Sequence, residues 1–163
     1  MLLETKGVVQ MALLYGSTWI VNSAVITAVL VMILISNWFV LKFDPKKLWP
    51  YYSLLLLTLI ANFLIPTQSY LQLSTVPRNV LSCGVTFAPI FFAGIIFAMS
   101  FKNTQKASFD FGSNILGAVL GGLTEYLSLV VGFNNLLLIA IFYYALSYLC
   151  QRITVNTKVV SSL

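Results

Sequence analysis

Charge is what this sequence has least of. Among 163 residues there are nine lysines and arginines, four acids and no histidine, so charged residues make up 8%. An ordinary soluble domain carries about 25%, and a water-soluble surface is hard to build from so little. The missing histidine removes Ser-His-Asp and Cys-His nucleophile systems and histidine-ligated metal. There are only two cysteines, Cys83 and Cys150. They lie far apart with no CxxC, inside apolar runs, and read as small buried hydrophobes rather than a disulfide or a metal pair. No Gly-rich phosphate loop, metal-ligand spacing or paired carboxylate occurs. The chain is therefore not expected to be an enzyme or to carry a cofactor. Basic residues form no stripe beyond Lys46-Lys47, and the aromatics lie within apolar runs, so nucleic acid is not an expected partner.

What is present is hydrocarbon. Hydrophobic residues make up 60% of the chain and mean hydropathy is +0.95. The expected solvent for most of the surface is a lipid bilayer. A soluble all-helical core is the competing reading, and several uncharged runs of bilayer length weigh against it. Glu4 and Lys6 precede an uncharged run from Gly7 to Leu41, too long for the apolar region of a cleavable signal peptide.

Charges and prolines cut the chain into five apolar segments, which predicts an all-α polytopic membrane bundle of about five helices in one domain, residues 1–163. The first helix lies within Met11–Leu41. It is either strongly tilted or begins with an interfacial stretch over Tyr15–Asn22, and Lys42-Phe-Asp-Pro-Lys-Lys ends it. The second runs from Trp49 to Ile65, with Pro50 in its first turn and an aromatic belt of Trp49, Tyr51 and Tyr52 at its start. A loop over Thr67–Asn79 leads to the third, Val80–Phe101. Pro89 sits inside it, which predicts a kink near Thr86–Pro89; membrane helices tolerate such prolines when neighbours satisfy the freed carbonyl. The fourth spans Phe109–Val131 and ends in a tight turn at Gly132–Asn135. The fifth spans Leu136–Cys150, followed by a polar tail from Gln151.

With five spans, Lys6 and Arg78 fall on one side. Lys42, Lys46, Lys47, Lys102, Lys106, Arg152 and Lys158 fall on the other. The basic side is cytoplasmic by the positive-inside rule, which gives an N-out, C-in orientation.

The fourth segment carries the residues of most chemical interest. Ser113, Gly117, Gly121 and Glu125 recur every four residues and share a helical face, and Gly122 widens the strip of small residues. In lipid such a strip lets two helix backbones approach closely. Glu125 is an acid inside an apolar segment, about 9 Å from the segment's outer end by helix rise. A charge at the bilayer centre costs at least ~2.5–3.5 kcal/mol, so Glu125 is either hydrogen-bonded to a neighbouring helix, wetted at the outer rim, or a cation- or proton-binding group facing the bundle interior. Arg78 and Lys6 are its candidate partners. Asn22, Asn62 and Asn114 are expected to make interhelical hydrogen bonds, and Asn22 and Asn114 join Glu125 and Arg78 as candidate ion or solute contacts.

Four stretches follow one another in an order that resembles a known family: Glu4-Thr-Lys6, Leu13-Leu-Tyr-Gly-Ser-Thr-Trp-Ile-Val-Asn22, Phe91-Phe-Ala-Gly-Ile-Ile-Phe97 and Asn114-Ile-Leu-Gly-Ala-Val-Leu-Gly-Gly-Leu-Thr-Glu-Tyr-Leu-Ser128. Together they look like the C-terminal membrane half of bacterial proteins with a major-facilitator-like helical domain, often fused to spermidine synthase-like proteins. The resemblance implies that the five segments match the last five of twelve helices, in a multi-pass protein of the bacterial inner membrane. The helix that should precede Glu4-Thr-Lys6 and the whole N-terminal half have no counterpart here. The resemblance therefore implies a fragment, a split gene product or a subunit that needs a partner membrane chain or self-association. No βαβ unit with a glycine fingerprint occurs, so polyamine synthesis is not implied. The functions to weigh are a transporter-like domain acting through Glu125 and a non-catalytic scaffold or anchor associating through Ser113–Gly121.

Overall fold

The computed structural model of the protein describes residues 2–65, 75–102, 104, 107–127, 130, 132 and 135–161, excepting the side chains of 75–80, 107 and 152–161. Among them the chain is all-α, with six helices: α1 (Leu2–Tyr15), α2 (Trp19–Phe43), α3 (Trp49–Leu64), α4 (Thr75–Lys102), α5 (Ala107–Glu125) and α6 (Leu136–Ser161). Two stretches, Trp19–Phe43 and Leu81–Lys102, are long and apolar enough to cross a membrane by length and composition.

The expected first segment is two helices. Gly16 takes φ +94°, a left-handed conformation that glycine adopts without strain. The Thr18 hydroxyl then caps the new helix by accepting from the Val21 N–H at 3.3 Å, as N-cap threonines do. The break falls where Trp19 was expected to mark an interfacial start. Helix α1 folds back along α2, so Glu4 and Lys6 do not form the outer tail that the charge alternation required.

Other boundaries also differ. Helix α4 begins at Thr75, which puts Pro77 and Arg78 in its first turn, where proline's missing N–H breaks no helical bond. Helix α5 ends at Glu125, short of the expected Val131. Helix α6 continues to Ser161 through the stretch expected to be a polar tail. The loop at residues 66–74, the connector at 103–106 apart from Thr104, and residues 133–134 of the expected turn lie outside the described residues.

Helix α4 is the spine. It runs parallel to α2, with Val29 beside Phe87 and Ile90, and Val40 beside Ile95 and Met99. At the end of both helices the Lys102 ammonium donates to Asp44 at 2.6 Å. The two helices come close at Gly94, where an added Cβ would lie 3.1 Å from Ser36 Cβ, with Ser36 Oγ closer still. Small residues at a crossing are how membrane helices gain contact area. Helix α3 returns antiparallel, packing Leu55 and Leu59 against Ile96 and, from α6, Leu137. Tyr52 is buried rather than part of an aromatic belt, with its hydroxyl 3.0 Å from Ser147 Oγ of α6.

Pro89 sits inside α4 and leaves the Val85 carbonyl without its helical donor. The Asn62 amide of α3 donates to that oxygen at 3.1 Å. This is the compensation from a neighbour that a proline inside a buried helix needs, and the interhelical role expected for Asn62.

Candidate functional site

Helix α1 carries two of the buried polar side chains, Lys6 and Gln10. Its 14 residues span about 21 Å, and it contacts α2, α6, α4 and α5. The face it turns inward holds Lys6, Gly7, Gln10 and Met11. Lys6 is 6% exposed and Gln10 2%. Opposite them, α4 presents Ser82 and Thr86, both buried. Gly7 sets the spacing, since a Cβ there would touch the Thr86 methyl at 3.4 Å. The Ser82 hydroxyl faces the Met11 sulfur at 3.8 Å.

This seam is incompletely satisfied. Gln10 Oε1 and Thr86 Oγ1 are enclosed and have no hydrogen-bond partner among the described residues, and the same holds for Asn22 Oδ1 in the first turn of α2. Each buried polar atom left so costs roughly 1–3 kcal/mol, unless water or a polar solute supplies the bond. Sequence reasoning missed Lys6 and Gln10 as interior groups because it assumed that a charge ahead of an apolar run stays outside. The available signal was their spacing: Lys6 and Gln10 are one helical turn apart and so share a face.

Glu125 is half-buried at the last residue of α5. The Thr5 hydroxyl of α1 donates to its Oε1 at 2.6 Å, so a neighbouring helix holds the carboxylate. Thr5 is one residue from Lys6, which brings Glu125 to the edge of the α1 seam. Asn114 is exposed on α5, about 16 Å from Glu125 along the helix axis. Asn22 is half-buried in the first turn of α2. Arg78 lies on α4, its side chain outside the described residues. The expected candidates are thus not gathered into one cluster.

Among the described residues, the N-terminal part of the small-residue strip is not packed against another helix. Ser113 and Gly117 are exposed, Gly121 and Gly122 half-buried, and a Cβ at Gly117 or Gly122 would meet nothing within 4 Å. The expected buried cysteines are instead on outer faces. Among the described residues no group of three or more histidine, cysteine or acidic side chains could hold a metal ion.

No family model, curated protein or solved structure matches the chain.

Proposed function

We propose that this chain is a transporter-like, multi-pass membrane domain that handles a small polar or charged solute along the seam between α1 and α4. The carrying observation is the burial of Lys6, Gln10, Ser82 and Thr86 together, with enclosed oxygens on Gln10 and Thr86 lacking a partner among the described residues. Ionisable groups inside membrane bundles mark solute or proton routes more often than structural contacts. On this reading α2 to α6 cross the bilayer, α1 is a shorter helix enclosed by them, and the lysine-rich end faces the cytoplasm of a bacterial cell. Helix α2 supports the bilayer. Ile26, Leu30, Leu34 and Trp38 share its outer face and are 55–68% exposed, a stripe too apolar for water. The resemblance to major-facilitator-like proteins points the same way.

The test uses cysteine substitutions at Gln10 and Thr86, in a background with Cys83 and Cys150 replaced by serine, in native membranes. A small, charged, membrane-impermeant thiol reagent labels both positions if the seam is a hydrated route. It labels neither if the seam is dry packing, and the reading then fails.

A second reading rests on the uncovered strip of α5, a scaffold or anchor that binds a partner chain or a second copy there. Gly117→Leu with Gly121→Leu then dissolves the assembly, and an intact assembly counts against it.

A further inference from the structure

At the lysine-rich end, the α2–α3 connection and the last turn of α4 enclose a cleft of about 290 Å³, lined by Val40, Asp44, Pro45, Lys46, Met99 and Lys102. Its floor is apolar, since Val40 and Met99 are each 2% exposed. Its rim is polar. We infer that this cleft seats the phosphodiester headgroup of an anionic phospholipid, held by Lys46 and Lys102, with the acyl chains lying along the outer face of α2.

Charge is the first argument. Lys46 and Lys102 line the cleft and Asp44 is the one acid in its lining, leaving one positive charge in excess, with Lys42 and Lys47 close by in the chain. Asp44 takes one hydrogen of the Lys102 ammonium, and an ammonium has two more to offer. Depth is the second. Lys42 lies back over the Trp38 ring at 4.7 Å, and Trp38, Leu41, Phe43 and Trp49 are all more than half exposed. Tryptophan and snorkelling lysine together mark the headgroup layer. The third is the outer face of α2 itself, where Leu34, Trp38 and Leu41 form an exposed apolar track that ends beside the connection carrying Asp44 and Lys46. A free phosphate ester shares the headgroup chemistry but leaves that track uncovered.

The inference rests on the membrane reading, so the test separates the two. The purified full chain is reconstituted into phosphatidylcholine vesicles and floated after a carbonate wash. Flotation upholds the membrane reading, and its failure sinks both. In detergent, unfolding is followed by heat during titration with phosphatidylglycerol, phosphatidylcholine or glycerol 3-phosphate. Saturable stabilisation by phosphatidylglycerol alone is expected. Lys46→Gln raises the half-saturating concentration about fivefold, matching the ~1 kcal/mol that one basic residue contributes near an anionic leaflet. Lys47→Gln, outside the lining, changes it less. Asp44→Asn lowers it, although the ion pair is lost, which a purely structural role for Asp44 would not produce. Equal stabilisation by both lipids, equal effects at Lys46 and Lys47, or full replacement of the lipid by glycerol 3-phosphate overturns the proposal.

Discussion

Pro89, Asn62 and Gly94 show how single side chains set the geometry here. Asn62→Leu leaves the Val85 carbonyl uncapped and is expected to destabilise the bundle by about 1–3 kcal/mol in detergent unfolding. In a Pro89→Ala background the residue-89 N–H returns to that carbonyl, so the cost of Asn62→Leu should largely vanish. An undiminished cost in the double variant would mean that Asn62 acts otherwise. Gly94→Ala drives a methyl into Ser36 and should cost about 1–3 kcal/mol by overpacking, relieved in part by Ser36→Gly. At the exposed end, Lys102 beside Asp44 holds its carboxyl below the usual aspartate range. That contribution to stability is present above the ordinary aspartate pKa and is lost as pH falls through the lowered folded value. Asp44→Asn should therefore flatten the acid limb of a pH–stability profile, by a small amount because the pair is exposed.

At the scale of elements, α1 and α5 depart furthest from what the residues alone suggest. The end of α2 at Lys42–Pro45, the whole of α3 with Ile65 as one residue too many, and an interhelical bond from Asn62 are legible because proline, charge and helix length act locally; that the bond goes to the carbonyl freed by Pro89 is not. Helix α1 is not legible, because enclosure by four other helices turns Lys6 and Gln10 inward, and no local rule reports enclosure. The tail of α6 was hidden by falling hydropathy, which says nothing of whether the backbone stays helical. Glycine spacing singled out Gly117 and Gly121, yet among the described glycines the tightest contact is at Gly94. Spacing shows that a helix can be approached, not that another helix is there. Among the described contacts, α5 is tied to the rest chiefly through α1 and the Thr5–Glu125 bond. Glu125→Leu should loosen α5 and raise its amide exchange, while Glu125→Gln keeps an acceptor and preserves most of the protection. If the Gln variant exchanges as fast as the Leu variant, the negative charge and not the hydrogen bond holds the helix.

The whole molecule divides its polarity inside out. The outer faces of α2, α3 and α5 expose large apolar side chains, while lysine, glutamine, serine and threonine are buried around α1. Water as the surrounding solvent would make both halves of that arrangement costly. Lipid outside, with a hydrated seam inside, makes both favourable. The most direct measurement is nitroxide accessibility by power-saturation EPR on the reconstituted protein, with labels at Ile26, Leu30 and Leu34 and a reference at Lys46. The account predicts high collision with oxygen and low collision with a water-soluble nickel chelate at the three α2 positions, and the reverse at Lys46. Nickel collision at Ile26, Leu30 and Leu34 as high as at Lys46 would put water on that face and contradict it.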